Sequence, residues 1–251
     1  MTLKILHVSD IHIRKLKYHT EYREVFAQLY EKAAAEKPDI ILNTGDTFHT
    51  KTDLSSEAVQ MMSELFSNLA DIAPFHMILG NHDMNLRSLG RLDAISPVVD
   101  NLNHPNIHFH KYSDVISLTD DIDMHILSIV DPDNWTKTPN KKKTNIAVYH
   151  GSVKGVKTDM GWAMEHGDID ISELNKYDFA LLGDIHKTNQ MVNSNPRFRY
   201  PGSLVQQNHG ETNDKGFIVW EIENKDSYGV RHCVLENPKP FVTIILTKTG
   251  R

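Results

Sequence analysis

The sequence contains almost no cysteine. Cys233 is the only one in 251 residues, so no intrachain disulfide can form. Chains of this kind suit a reducing compartment. We therefore predict a cytoplasmic location, either associated with the nucleoid or in the cytoplasm of a virus-infected host.

Long hydrophobic runs are also missing. No apolar stretch approaches the roughly 20 residues that a membrane-spanning helix requires, which excludes a membrane partner. The first five residues lead directly into a strand-like pattern, so we expect no signal peptide. The length suits one large domain, or a domain with a small appendage.

The chain has no excess of positive charge. Its formal net charge is −6, which argues against a nucleic-acid-binding protein. Bound divalent ions would reverse the local sign at the place where a phosphate sits, so net charge does not decide the substrate class. The sequence holds 15 histidines, a high number that favours metal binding.

Strand and helix patterns alternate in the first half of the chain. We predict helices over residues 19–36, 54–71 and 89–102, with Pro97 at a kink or early turn of the third. Either Ser55 or Ser56 suits the N-cap of the second. After residue 105 the pattern becomes strand-rich and ends with a predicted strand over 241–247. This order is typical of layered sheets flanked by helices.

Five polar motifs each follow a short apolar run. They are Asp10-Ile11-His12, Gly45-Asp46-Thr47-Phe48-His49, Gly80-Asn81-His82-Asp83, His150-Gly151 and Gly183-Asp184-Ile185-His186. Taken singly, each has an ordinary explanation, such as a surface pair or a hairpin turn. Together and in this order they predict one metal site, because open α/β sheets bind ligands at the carboxyl ends of their strands.

The residue types in these motifs suit two divalent ions. An extended backbone would point Asp10 and His12 the same way, and the Asp46 carboxylate can bridge two ions. Asn81 offers a neutral oxygen. A plausible set of seven ligands is completed by His150, Asp184 and His186. Two ions roughly 3.5–4 Å apart can activate water for phosphate ester hydrolysis.

Several other residues are candidates for a role at this site. We expect His82 to point toward the scissile phosphate, Asp83 to orient His82, and His49 to reach the substrate from the other side. Two patterns are ambiguous. The basic run Arg14, Lys15 and Lys17 fits either phosphate binding or a solvated loop. Met160, Trp162 and Met164 fit either substrate contact or, as we favour, a loop or core packing.

These motifs resemble those of the calcineurin-like metallophosphoesterase superfamily, and within it the SbcD-type DNA double-strand-break repair nucleases. His49 stands where these nucleases carry a histidine and protein Ser/Thr phosphatases carry an Asp-Arg pair. His186 is followed by Lys187, as in the nucleases. The stretch 200–204, followed by Glu211, looks like the segment that closes their core.

The resemblance implies a four-layer α-β-β-α sandwich of two mixed β-sheets flanked by helices, with Mn²⁺ as the metal. One ion would take Asp10, His12, Asp46 and His186. The other would take Asp46, Asn81, His150 and Asp184. His82 would then be the transition-state histidine, and His49 an auxiliary one.

The resemblance also implies activities and partners. Such nucleases act as exonucleases on duplex DNA ends and as endonucleases on single strands. They form homodimers, paired with an SbcC-type coiled-coil ABC ATPase. The dimer contact would come from helices matching 54–71 and 88–102. Both are rich in the apolar residues Met61, Met62, Leu65, Phe66, Ile95, Val98 and Val99, although core packing explains much of that.

Two features depart from the family pattern. The family usually has histidine where this chain has Asp184, and a third carboxylate would favour oxygen-preferring ions such as Mn²⁺ or Mg²⁺. The family also continues into a capping domain. We therefore expect a nuclease core over residues 1–236 and the start of a capping segment over 237–251.

Three functions follow from these observations. The leading hypothesis is a metal-dependent DNA nuclease in break repair. An alternative is a cyclic-nucleotide phosphodiesterase or phosphomonoesterase with the same dinuclear site, which the acidic net charge favours mildly. The third hypothesis is a non-catalytic subunit that binds DNA ends. The nearly intact ligand set argues against it, because a cluster of buried charges without metal is costly.

Overall fold

The fold is built on two six-stranded mixed sheets packed face to face. The computed structural model describes residues 2–51 and 54–245. The first sheet has the order β12-β11-β1-β2-β3-β4 and the second has the order β5-β6-β7-β8-β10-β9. The prediction of two mixed sheets flanked by helices is confirmed.

The strands of the first sheet come from both ends of the chain. β1 (Leu3–Val8), β2 (Ile40–Asn43), β3 (Phe75–Ile78) and β4 (Ile107–His110) run parallel to one another, while β11 (Gly216–Ile222) and β12 (Tyr228–Val234) are antiparallel additions. The β2 and β3 residues are all buried, because both faces of this sheet are covered.

The second sheet comes from the strand-rich middle of the chain. Its strands are β5 (Asp114–Thr119), β6 (Ile122–Leu127), β7 (Thr144–His150), β8 (Phe179–Gly183), β9 (Gln190–Val192) and β10 (Asn195–Tyr200). β6, β7 and β8 are parallel. Consequently β7 and β8 both end at one edge of their sheet.

Three helices cover the outer face of the first sheet. They are α1 (His19–Glu36), α2 (Ser56–Ile72) and α3 (Ser96–Leu102). The Ser55 side chain caps α2 by accepting a hydrogen bond from the Ala58 N–H. The outer face of the second sheet is covered by the segment 151–177, which contains the short 3₁₀ helix Ile171–Glu173.

Two predicted elements differ from the structure. The third helix begins at Ser96 instead of residue 89, because Pro97 can occupy only the first turn, where its missing N–H is not needed. The predicted strand over 241–247 is absent over 241–245, and the last two of its residues lie outside the described range.

Apolar side chains form three clusters, one between the sheets and one on each outer face. The outer cluster under the helices contains the apolar residues that suggested a dimer contact. Met61, Met62, Leu65, Phe66 and Ile95 are buried there, and Val98 and Val99 pack against it. Packing within the chain therefore explains these residues, and they give no support to a dimer. Within the described ranges, no helix has the length and apolar character to cross a bilayer.

A group of three histidines lies at the edge of the first sheet. His76 on β3 stacks on His108 of β4, with 4.6 Å between ring centroids. The Nδ1 atom of His76 lies 3.0 Å from Nε2 of His110, and one of these nitrogens donates a hydrogen bond to the other. Burial, followed by the other histidines of the group, lowers the pKa of His76 to about 3. Burial and His108 lower the pKa of His110 to about 4, although Asp114 opposes this.

The pKa values of these histidines are lower in the folded state than in the unfolded state. Their contribution to the free energy of unfolding is therefore fully present above about pH 6.5 and falls as the pH drops toward 4. At pH 5, His76 alone should reduce the free energy of unfolding by about 2 kcal/mol relative to pH 7.5. Urea unfolding at both pH values checks this. His76→Asn should lose less stability on acidification than wild type, whereas the exposed-site control His166→Asn should match wild type. An equal pH dependence in His76→Asn would contradict the prediction.

Candidate metal centre

The five polar motifs converge at one edge of the sandwich. Three of them follow β1, β2 and β3 of the first sheet. The other two lie at the ends of β7 and β8 of the second sheet. Because the strands within each set are parallel, their carboxyl ends meet, and the seven predicted ligand residues are brought together.

Asp10, His12 and His186 form one half of the cluster. The Nε2 atoms of His12 and His186 lie 3.0 Å apart. Oδ1 of Asp10 lies 3.7 Å from the first of these atoms and 3.8 Å from the second. Ligand atoms of the three residues all lie within 4.8 Å of one another, close enough to share one ion.

Asp46 joins this half to a second one. Its Oδ2 atom lies 3.5 Å from Nε2 of His12, and its Oδ1 atom lies 3.4 Å from Nε2 of His150. Oδ1 of Asp184 lies 3.9 Å from the same atom of His150 and accepts a 3.1 Å hydrogen bond from the amide of Asn81. The two oxygens of Asp46 therefore face different halves, as a bridging carboxylate requires.

The outward-facing nitrogens of two histidines are already occupied. Nδ1 of His150 donates to the Thr44 carbonyl at 2.7 Å, and Nδ1 of His186 lies 2.8 Å from Glu211 Oε1. These contacts leave both Nε2 atoms free to face the cluster. The Nε2 atom of His150 is buried without a hydrogen-bond partner. Inward-facing imidazole lone pairs among carboxylates fit a divalent transition metal.

The cluster perturbs the titration of its own members. Burial raises the pKa of Asp184 to about 6, with further increases from Asp10 and Asp46. Burial alone would also raise the pKa of Asp10, but the imidazoles of His12, His186 and His150 outweigh it and lower that pKa. Burial opposes the charged form of His150, yet the carboxylates, chiefly Asp46, raise its pKa well above the usual value.

The backbone at the cluster is held in an unusual conformation. Asp10, His12, Asp46 and Asp184 all have positive φ, between 49° and 98°. Such residues cost about 1–3 kcal/mol each and persist only where the surroundings hold them. A Cβ on Gly80 would lie 2.0 Å from the Asp46 carboxylate, so this position needs glycine.

His82 and His49 lie beside the cluster. We predicted that both would contact a substrate. The ring centroid of His82 lies 4.9 Å from that of His12 and 5.9 Å from that of His49. Its Nδ1 atom donates to the His49 carbonyl at 2.8 Å, which leaves Nε2 free. His82 is half-buried and His49 is exposed, so both can be reached from solvent.

Asp83 does not orient His82, contrary to our expectation. Its buried carboxylate accepts hydrogen bonds from the backbone N–H groups of Thr47, Phe48 and Gly80, at 2.9, 3.1 and 3.0 Å. These backbone contacts take up the carboxylate, and no contact between it and the His82 ring is observed. Asp83 therefore clamps the loop that carries Asp46 to the loop that carries His82.

The basic run after the first motif divides into two groups. Arg14 is not available for phosphate, because its guanidinium donates to the carbonyls of Gln207 and Gln206 at 2.6 and 3.0 Å. It also lies over the Tyr18 ring, 4.5 Å from the centroid. Lys15 and Lys17 are exposed, so their predicted contact with DNA stays a prediction.

The three residues near 160 lie in a loop or in packing, the two positions that we favoured for them. Met160 is 78% exposed and Trp162 is 64% exposed. Both lie in a narrow turn formed around the bridge between Lys157 and Ala163. Only Met164 packs against the outer cluster of the second sheet.

Sequence reasoning missed the residues that support the ligands. Thr44 acts through its main-chain carbonyl, which no side-chain motif can reveal. Glu211 was noticed only as part of a segment, yet it holds His186. Lys215, which lies four residues after Glu211, is 1% exposed and pairs with it. The sequence feature that could have identified Lys215 is its position directly before the buried strand β11.

Comparisons with known proteins identify the family of this chain. The family model for calcineurin-like phosphoesterases matches residues 3–188. The uncharacterized protein R555 of Acanthamoeba polyphaga mimivirus is 38% identical over 237 residues, which cover 89% of this chain and 18% of R555.

Two archaeal proteins are more distant relatives. The DNA double-strand break repair protein Mre11 of Saccharolobus solfataricus is 28% identical over 203 residues, and that of Sulfurisphaera tokodaii is 26% identical. Each match covers 73% of this chain and 49% of the relative. The chain thus spans less than a fifth of R555 and about half of each Mre11 protein.

A solved structure supports the fold. The crystal structure of a dimetal phosphatase from Danio rerio superposes with a TM-score of 0.55 at 10% identity. The alignment covers 91% of this chain and 98% of the phosphatase. At this identity the likeness concerns the fold alone.

Proposed function

This chain belongs to the calcineurin-like phosphoesterase family of metal-dependent hydrolases, and from that premise we propose that it is a DNA nuclease. It would hydrolyse phosphodiester bonds with two Mn²⁺ ions, as an exonuclease on duplex ends and an endonuclease on single strands. The proposed setting is the repair or processing of DNA breaks.

One observation supports the proposal of metal-dependent hydrolysis. Ligand atoms from both sheets form two sets that share the Asp46 carboxylate, and the outer nitrogens of His150 and His186 are already held by the chain. Two divalent ions bound there would lower the pKa of a water and hold the phosphate oxygens. The shared carboxylate keeps the two sets adjacent, at the edge where the half-buried His82 can be reached from solvent.

His82 is the residue that we propose to act on the substrate directly. Its Nδ1–H is fixed by the His49 carbonyl, so Nε2 is the atom that faces a phosphate bound at the cluster. A protonated Nε2 can stabilise charge on the phosphate or donate its proton to the leaving oxygen. His49 stacks beside it, on the side of the exposed Lys15.

The proposal of DNA as substrate is supported by the two Mre11 relatives, whose names denote double-strand break repair. It is also supported by the segment 200–211, which resembles the closing stretch of nucleases and lies against the site through Glu211. The choice of Mn²⁺ is supported by Asp184, because an additional carboxylate suits ions that prefer oxygen ligands.

A second candidate is a phosphodiesterase or phosphomonoesterase that acts on a small substrate. One observation favours it. A cleft of about 620 Å³ adjoins Asn81 and His150, and its walls carry the acidic residues Asp133, Asp168, Asp170 and Glu173. Carboxylates there would repel a continuing DNA backbone, but the space is large enough for one nucleoside.

A substrate panel distinguishes these candidates. Purified protein would be incubated with end-labelled duplex DNA, single-stranded DNA, a cyclic nucleotide and bis-p-nitrophenyl phosphate, in Mn²⁺, in Mg²⁺ and in chelator. Mn²⁺-dependent DNA cleavage is the expected result. Hydrolysis of only the small esters would contradict the DNA proposal. Binding of DNA ends without any hydrolysis, unaffected by Asn81→Ala, would support the non-catalytic alternative.

Asp184 should determine metal preference. Asp184→His removes a carboxylate from the second set, so we expect hydrolysis to be retained with a shift from Mn²⁺ and Mg²⁺ toward ions that prefer nitrogen ligands, such as Zn²⁺ and Co²⁺. Rates for bis-p-nitrophenyl phosphate across a metal series check this. Full activity and an unchanged metal profile in Asp184→Ala would show that Asp184 is not a ligand.

A homodimer and an SbcC-type coiled-coil ABC ATPase are proposed as partners, on the basis of the resemblance. The apolar residues of α2 are used within the chain, so a dimer has to use other surfaces. Light scattering of the purified chain tests self-association, and a monomeric mass at micromolar concentration would contradict it.

A further inference from the structure

A network of buried charges lies behind His186, outside the predicted ligand set. Its members are Glu211, Lys215 and Asp159, whose side chains are 5%, 1% and 6% exposed. Nζ of Lys215 lies 3.3 Å from Glu211 Oε2 and 3.2 Å from Asp159 Oδ2. Buried charges are expensive unless they are paired, so such a network needs an explanation.

Glu211 is held from several directions. Its Oε1 atom faces Nδ1 of His186 and accepts from the Asn208 amide, both at 2.8 Å. Its Oε2 atom accepts from the Ser203 hydroxyl at 3.0 Å and from the Gln207 N–H at 2.9 Å. A carboxylate with this many donors has essentially one orientation, and that orientation presents an acceptor to His186.

Lys215 ties the carboxylate to the rest of the site. Besides its ion pairs with Glu211 and Asp159, Nζ donates a hydrogen bond to the main-chain carbonyl of His186 at 2.7 Å. The same lysine therefore contacts the backbone of His186 and the carboxylate that faces the His186 ring. Asp159 extends the network to the turn around the bridge between Lys157 and Ala163.

We propose that Glu211, held by Lys215, is a positioning residue that fixes the ring orientation and tautomer of His186 for metal binding. With Nδ1–H donated to Glu211, the lone pair of Nε2 faces Asp10 and His12. A carboxylate behind a metal-binding histidine also increases the basicity of the ligand. The inference rests on the proposed metal-dependent function, because it concerns the same site.

The test is calorimetric titration of Mn²⁺ alone into the purified chain. Loss of such a supporting partner typically weakens metal binding about 10–100-fold, so Glu211→Gln should weaken one of the two Mn²⁺ sites by this factor and leave the other nearly unchanged. At saturating Mn²⁺, turnover of bis-p-nitrophenyl phosphate should return to within about threefold of wild type. Glu165→Gln, at an exposed position, is the matched control.

A second variant helps to distinguish a specific effect on metal binding from a loss of folding. Asp159→Asn keeps the volume and removes the negative charge of one partner of Lys215, so it should weaken the same Mn²⁺ site by a smaller factor. Melting temperatures in chelator show whether each variant is folded without metal. Histidine-selective ¹⁵N NMR of the Mg²⁺-loaded protein should show an Nδ1–H signal for His186 that shifts in Glu211→Gln.

The outcomes separate this inference from the proposed function. An unchanged Mn²⁺ titration in Glu211→Gln would overturn the positioning role, as would an equal weakening of both sites together with a lowered melting temperature in chelator. If wild type binds Mn²⁺ with the expected dependence on Glu211 but hydrolyses no DNA, the positioning role stands and the nuclease proposal fails. Absence of Mn²⁺ binding in wild type would overturn both.

Discussion

Replacing His82 with alanine is expected to lower the turnover of phosphodiesters by about 10²–10⁴-fold, the range typical for loss of a general acid. Metal binding should be retained, because the contact of this residue with Asp46 is made by its backbone. The His82 N–H donates to Asp46 Oδ1 at 2.8 Å, and alanine keeps that N–H. The change removes the free Nε2 together with the hydrogen bond from Nδ1 to the His49 carbonyl. Turnover of bis-p-nitrophenyl phosphate at saturating Mn²⁺, together with Mn²⁺ titration, measures both effects.

Two histidine variants serve as controls. His49→Ala keeps the carbonyl that accepts from His82, so its effect should be smaller than that of His82→Ala. His166→Ala, at an exposed position away from the motifs, should behave as wild type. A ring nitrogen of His82 also lies within 4.8 Å of ligand atoms of His12 and Asp46. Weaker Mn²⁺ binding in His82→Ala would therefore contradict the catalytic role and identify this histidine as a ligand.

Replacing Asp83 with alanine should have the largest effect on stability. Its carboxylate accepts hydrogen bonds from the N–H groups of Thr47, Phe48 and Gly80, and all three would be left buried without a partner. At about 1–3 kcal/mol for each unsatisfied group, the free energy of unfolding should fall by at least about 3 kcal/mol. Urea unfolding in chelator measures this loss without a contribution from metal.

The same change should also weaken metal binding, because the two clamped loops carry Asp46 and Asn81. Asp83→Asn keeps one acceptor oxygen and should be intermediate in both measurements. Asp133→Ala, at an exposed position, is the control for loss of an aspartate. Wild-type stability in Asp83→Ala would mean that the loops are held by other contacts, and would contradict the clamp.

The regular elements of the first half could be predicted because their patterns are local. The spacing of Tyr22, Phe26, Leu29 and Ala33 defines the buried face of α1, and the helix spans the predicted residues. The third helix was predicted seven residues too early. Apolar residues between 89 and 95 matched a helical spacing, but Pro97 allows a helix to begin only next to it.

The sequence by itself determined which residues meet at the candidate metal centre, because parallel strands bring their carboxyl ends to one edge and each motif lies at such an end. Only the tertiary structure decided what holds those residues. Asp83 is adjacent to His82 in sequence but bonds to the backbone of another loop, and Arg14 bonds to carbonyls almost two hundred residues away. Glu211 and Lys215 reach His186 in the same way. Hydrogen bonds to main-chain atoms and between distant segments depend on how the sheets and loops pack, and no spacing of residue types along the chain encodes them.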